Sequence, residues 1–165
     1  MTTTPAHTPV PTSALSGAII LEDASVSPPA EDQALFFVAS SLMPGVMHLG
    51  QAENIRCEAL ILISGQTAEC LLKAIIIKSG EKSKLLKQQN IRHNLTELWD
   101  QAVKACLTLE STAPLWLKEI NEFFDAPYVI RYMRGVSFYS LPLQRPLLEG
   151  LKDLFAKTEK YLGRV

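Results

Sequence analysis

Residues 57–77, CEALILISGQTAECLLKAIII, decide the fold of this chain. Between Leu60 and Ile77 the apolar residues cover almost the whole circumference of a helix, which is typical of a helix surrounded by other helices. Glu69 and Lys73 interrupt the run, and a lone membrane span would have to bury both charges at high cost. We therefore predict that this segment is the central helix of a soluble bundle.

The chain on either side of this run carries helix boundary signals. A first helix is expected to begin near Glu31, after a Pro-Pro pair and with acidic residues at the positive end of the helix dipole. Pro44 should end or kink it, because proline lacks the amide hydrogen and clashes with the preceding turn. The central helical segment should then run from about residue 51 to 79, with Gly80 as its C-terminal cap.

Three further helices are predicted in the second half of the chain. Asn94 is a good N-cap, and Glu97 three residues later completes the pattern of a capping box. Pro114 opens the next helix and a last helix starts at about Pro146. Residues 136–141 are the one weak candidate for a strand. The sequence therefore predicts an all-α bundle of about five helices.

Length and composition indicate one domain. The chain has 165 residues, enough to bury a core, and its 47% hydrophobic and 20% charged residues are ordinary for a globular protein. Residues 1–28 are rich in Thr, Pro and Ser and lack a helical period, so we expect a disordered tail before a bundle domain over residues 29–165. The net charge of -1 argues against binding nucleic acid by charge alone.

Motifs for metal binding and for the common catalytic mechanisms are missing from the sequence. It contains no H-E-x-x-H, no Gly-rich phosphate loop, no G-x-S-x-G and no paired-cysteine knuckle. Cys57, Cys70 and Cys106 lie among apolar residues without C-x-x-C spacing, as buried reduced thiols do. With no signal peptide visible, we expect a cytoplasmic protein with no catalytic residues of a known type, no metal, no cofactor and no membrane association.

A polar constellation on the central helix is the candidate for chemistry. Gln66, Glu69 and Lys73 are spaced by three and four residues, so they share a face of the helix. One interpretation is an ion pair between Glu69 and Lys73 on a solvated edge. The other is a covered carboxylate, which needs cationic or hydrogen-bonding partners because an unpaired buried charge is expensive.

Candidate partners for that carboxylate lie at two later places in the chain. His93 directly precedes the N-cap Asn94, and Arg131 and Arg134 follow about forty residues later. A meeting of Glu69, His93 and an arginine inside the bundle would satisfy all three groups. The alternatives are that His93 only pins its loop by hydrogen bonds and that the two arginines belong to a solvated turn.

Three short motifs, at residues 69–74, 92–99 and 127–132, carry a resemblance to a known family, that of the HEPN domains. Residues 69–74, ECLLKA, are similar to the E-x-x-L-K-A helix of that family, and residues 92–99, RHNLTELW, are similar to its H-N-L-x-x-L helix start. Residues 127–132, PYVIRY, resemble the late R-Y pair of some bacterial members. The resemblance extends over roughly residues 50–160.

The resemblance implies a helical bundle that dimerises and a function tied to RNA cleavage or nucleotide binding. Active members use an R-x(4–6)-H motif, and no arginine from Arg56 onward has a histidine at that spacing here. We therefore expect a non-catalytic HEPN-like binding or interaction domain from a bacterial cytosol, associated with a nucleotide or RNA in a toxin–antitoxin or defence-type system. Its partners would be a second copy, a nucleotidyltransferase or another defence component.

Two other functions stay open at this point. One is a divergent metal-independent ribonuclease in which His93 acts as general acid or base and Arg131 or Arg134 neutralises the charge that develops on the phosphate. The other is a purely structural oligomer subunit. For the binding domain, the sequence offers Glu69, Lys73, His93, Asn94, Arg131 and Arg134 as the polar cluster.

Overall fold

The structure is a computed structural model, and it describes residues 28–51, 57–80, 86, 88, 91–124 and 144–164. Five α-helices follow one another along these residues, and the described ranges contain no strand: α1 Glu31–Leu49, α2 Cys57–Lys78, α3 Leu95–Ala105, α4 Leu115–Phe124 and α5 Gln144–Tyr161. The predicted all-α bundle of about five helices is confirmed. Residues 1–27 of the predicted tail over residues 1–28, and the candidate strand at 136–141, lie outside the described residues.

Helix α2 lies at the centre of the bundle and packs against each of the other four helices. It is long and apolar enough to cross a membrane by length and composition, but 72% of its most apolar window is buried inside the bundle. Cys70, Leu71 and Ile76 point to three different sides of the helix, and all three are buried. The hydrophobic circumference read from the sequence is therefore the surface on which the other helices pack.

Pro44 was expected to end or kink the first helix; α1 continues through it to Leu49, so the proline does not end the helix. Pro44 lies on the exposed side of α1, where the carbonyl group that loses its amide partner can be hydrated. Phe36 and Val46, on either side of the proline, are buried in the core. Burial on both sides outweighs the lost hydrogen bond, which costs about 3 kcal/mol for proline inside a helix.

Helix α3 begins as the sequence predicts, but only half of the capping box forms. The Asn94 side chain accepts a hydrogen bond from the Glu97 amide at 3.0 Å, whereas the Asn94 amide donates to the carbonyl of Ile91 at 3.2 Å. The Glu97 side chain is exposed. The predicted glycine cap of α2 is confirmed, since Gly80 has a φ of 92° and its amide donates to the Ile77 carbonyl at 3.0 Å.

Helices α4 and α5 complete the core around α2. The apolar stripe of α4 is buried as its spacing predicts, and the inward side of α5 packs on α2 and α4. Gly150 on α5 allows a close approach to Trp116 of α4, because a Cβ atom at this glycine would overlap the indole ring. Trp99 of α3 adds a hydrogen bond from its indole nitrogen to the Glu110 carbonyl at 3.0 Å.

Candidate functional site

Glu69 is the buried charged residue on which the candidate site is built. It lies in the middle of α2, and only 4% of its surface is exposed. Its Oε1 atom lies 2.5 Å from Nζ of Lys73, one turn along the same helix. Its Oε2 atom lies 3.1 Å from Nδ1 of His93, in the loop before α3. The carboxylate therefore joins α2 to a segment 24 residues further along the chain.

The chemistry of the three groups fixes the direction of these hydrogen bonds. An ionised carboxylate can only accept, so the ammonium group of Lys73 donates to Oε1, and Nδ1 of His93 carries the hydrogen that it donates to Oε2. Both partners are mostly covered, with 14% of the Lys73 and 17% of the His93 side chain exposed. Such burial needs this pairing, because an isolated charge at Glu69 would lose several kcal/mol of hydration.

The loop that presents His93 is itself held by a network of asparagine side chains. Asn94 Oδ1 accepts from the Glu97 amide and, at 2.6 Å, from the hydroxyl of Thr96. Asn121, on α4, accepts from the backbone amide of Leu95 at 2.6 Å. Asn121 thus acts as a second cap for α3 from a different helix. The sequence reasoning missed it, because no local pattern links residues 26 positions apart.

The aromatic ring of Phe124 packs against His93. The ring of Phe124 meets the imidazole of His93 edge to face, with centroids 6.4 Å apart and planes at 78°. Gly65 of α2 lets this ring come close, since a Cβ atom there would overlap it. Gly65 and Glu69 lie four residues apart on the same face of α2. The glycine therefore allows Phe124 to pack against α2 one turn away from Glu69.

Of the six residues in the predicted polar cluster, the structure brings three into contact. Glu69, Lys73 and His93 form one hydrogen-bonded group, and Asn94 adjoins it as the cap of α3. Arg131 and Arg134 lie outside the described residues. The interpretation of a Glu69–Lys73 pair on a solvated edge is wrong, because Glu69 is buried and is also hydrogen-bonded to His93.

Gln66 and Cys70, which lie near Glu69 on α2, contact each other. The amide of Gln66 donates to the sulfur of Cys70 at 3.5 Å. Burial raises the pKa of the Cys70 thiol above its usual range. The hydrogen bond from Gln66 lowers this pKa, and the nearby Glu69 charge raises it. Within the part of the chain that the structure describes, no three His, Cys, Asp or Glu side chains are grouped to hold a metal ion.

Similarity to known proteins gives no independent identification of this site. Comparisons with protein-family models, with curated proteins and with solved structures return no match for the chain. The resemblance of its motifs to the HEPN family therefore stays a prediction from the sequence.

Proposed function

We propose that this protein is a non-catalytic HEPN-like interaction domain. In it the hydrogen-bonded group of Glu69, Lys73 and His93, called the Glu69 cluster, stabilises the packing of the bundle. The observation that carries the proposal is that both oxygens of a 4% exposed carboxylate have partners within the fold. A carboxylate that is 4% exposed and already paired on both oxygens is poorly accessible to an external ligand. Its main effect is to fix the loop before α3 on the central helix.

The charge of the cluster supports the same conclusion. A site that cleaves RNA needs positive charge for the phosphate and for the charge that develops on it. The Lys73 ammonium is matched by the Glu69 carboxylate at 2.5 Å, so the pair offers no excess positive charge. Binding a phosphate at this point would require breaking a buried ion pair, at a cost of about 3–5 kcal/mol.

The resemblance to HEPN domains fits the placement of its motifs. The residues similar to the E-x-x-L-K-A motif lie within α2, and those similar to the H-N-L-x-x-L motif form the start of α3. The contact between Glu69 and His93 joins the two motifs. On this proposal the domain belongs to a bacterial cytosolic system and acts beside a protein partner, with a nucleotidyltransferase or a defence component as the expected kind.

One observation favours the ribonuclease as a second candidate. A carboxylate bonded to Nδ1 fixes the orientation of an imidazole, which is how many enzymes hold a histidine that acts as general base. The Glu69–His93 contact at 3.1 Å has this form. Arg131 or Arg134 would then have to supply the positive charge that Lys73 does not.

Incubation of the purified 165-residue chain with end-labelled RNA in the presence of a chelator separates the two candidates. We expect no cleavage above the level of a buffer control. Cleavage that is lost in a His93→Ala variant shown to be folded by circular dichroism, and retained in Leu107→Ala, a change at a leucine 94% exposed in the turn after α3, would establish the ribonuclease and reject the proposal. Native mass spectrometry of protein from cells would show a bound nucleotide or protein partner directly.

A further inference from the structure

A cavity of about 220 Å³ lies where α3, α4 and α5 meet. The chain has two tryptophans, and both line this cavity: Trp99 of α3 and Trp116 of α4. Gly150 and Asp153 of α5 and Glu110 of the loop before α4 also line it. We call this space the tryptophan cavity.

The two indole rings are held in place by the fold. Only 4% of Trp99 and 7% of Trp116 is exposed. The indole nitrogen of Trp99 donates to the Glu110 carbonyl at 3.0 Å, and Trp116 packs so closely on Gly150 that a Cβ atom there would overlap its ring. The walls of the cavity are therefore formed before any ligand enters, which lowers the entropic cost of binding.

The charged groups of the lining lie nearer to solvent than the tryptophans. Asp153 and Glu110 are exposed, and Lys157, one turn after Asp153 on α5, is partly buried. The ammonium nitrogen of Lys157 lies 2.7 Å from Oδ2 of Asp153. With two carboxylates and one ammonium, the described lining has a net charge of -1. This charge favours a cation over an anion.

The tryptophans favour one kind of cation. The face of an aromatic ring attracts a cation, tryptophan does so most strongly, and aromatic cages bind quaternary ammonium groups. Such a group donates no hydrogen bond, whereas a primary ammonium has three donors to satisfy. Asp153 already accepts from Lys157, and the Glu110 carbonyl already accepts from Trp99. The volume of about 220 Å³ lies below the roughly 300–1,000 Å³ of pockets for larger ligands, so it suits a compact group.

We propose that the tryptophan cavity binds a quaternary ammonium group. The indoles of Trp99 and Trp116 surround the cation, and the net negative charge of the lining attracts it. None of these residues belongs to the Glu69 cluster, so this inference goes beyond the proposed function and gives the domain a ligand of its own. The same group occurs in free choline and in the trimethylated lysine of a protein, and the experiment below separates these two sources.

Tryptophan fluorescence of the 165-residue chain reports on this cavity directly, because both tryptophans line it. Titration with tetramethylammonium chloride should change the emission until it saturates. Sodium chloride at the same ionic strength and tert-butanol, a neutral molecule of similar shape, should produce no saturable change. Choline and a peptide that contains trimethylated lysine are then titrated in the same way. Tighter binding of choline identifies a free small molecule as the ligand, and tighter binding of the peptide identifies a protein side chain.

Three variants locate the binding. Trp116→Leu should weaken tetramethylammonium binding about tenfold, because it removes one aromatic ring. Asp153→Asn keeps the shape of an exposed side chain and removes a negative charge, so it should weaken binding roughly threefold through a partly screened charge. Glu122→Gln makes the same change of charge at an exposed residue of α4 outside the described lining, and it should leave binding unchanged.

Circular dichroism checks that each variant is folded, and Asp153→Asn decides the matter if Trp116→Leu is not. Equal responses to tetramethylammonium and sodium chloride overturn the proposal. So does saturable binding that Asp153→Asn weakens no more than Glu122→Gln does. RNA cleavage dependent on His93 would reject the proposed function and leave this site standing, so the two failures are distinguishable.

Discussion

His93 Nδ1 lies 3.1 Å from Oε2 of Glu69, and this hydrogen bond ties the loop before α3 to the central helix. Lys73 holds the second carboxylate oxygen from one turn away on α2. The three side chains are mostly buried. The carboxylate of Glu69 thereby combines an ion pair within α2 with a tertiary hydrogen bond to the loop that leads into α3.

The link should make a large contribution to stability. Glu69→Ala leaves Lys73 and His93 without their acceptor, and we expect the free energy of unfolding to fall by roughly 2–4 kcal/mol, within the range for breaking buried pairs. Urea denaturation measures this. Glu122→Ala, a carboxylate exposed on α4, is the control and should change stability by less than about 0.5 kcal/mol.

A double-mutant cycle should give a coupling of about 0.5–3 kcal/mol between Glu69 and His93. Coupling near zero would contradict the tertiary link, and the same cycle with Arg131 tests whether that residue shares the site.

Two glycines inside helices should respond to alanine in opposite directions. A Cβ atom at Gly150 overlaps the indole of Trp116, so Gly150→Ala should destabilise the fold by about 1–3 kcal/mol through overpacking. A Cβ atom at Gly45 has open space, so Gly45→Ala should stabilise α1 by up to about 1 kcal/mol through helix propensity. Melting temperatures of the two variants are the measurement. Equal changes in melting temperature in the same direction would show that overlap with Trp116 does not determine the stability of Gly150→Ala.

The hydroxyl group of Ser64 is fully buried and has no hydrogen-bond partner among the described residues. Ser64→Ala removes this unsatisfied group, and we expect a gain of about 1 kcal/mol in the free energy of unfolding. Thr67, one turn away and equally buried, donates to the Ile63 carbonyl at 2.8 Å. Thr67→Ala should therefore cost stability in the same denaturation experiment. A loss at Ser64 as large as that at Thr67 would mean that its hydroxyl has a partner.

Cys70 should be protected from alkylation in the native protein. Burial raises the pKa of its thiol, so at pH 8 the reactive thiolate is a smaller fraction than in a free cysteine, and the side chain is also covered. We expect iodoacetamide to modify Cys70 at least about tenfold more slowly than in urea-unfolded protein, as read by peptide mass spectrometry. Cys106, which is buried near Thr108, should behave in the same way. Rapid native labelling of Cys70 would show that α2 opens locally.

The sequence by itself determined the helices, because helix formation depends on residues close together in the chain. The apolar circumference of residues 60–77 identified α2 as central, and Asn94 and Gly80 marked two helix ends through their own local chemistry. At Pro44 local rules left open whether the helix ends or only bends, and the helix continues because Phe36 and Val46 are buried on either side of the proline.

Only the tertiary structure decided which side chains meet. Glu69 and Lys73 share a helix face by spacing alone, but the burial of the carboxylate and its bond to His93 depend on how α3 packs against α2. The cap that Asn121 places on α3 and the contact of Phe124 with Gly65 join residues far apart in sequence. Such contacts follow from the relative positions of whole helices, which no spacing within one helix can specify.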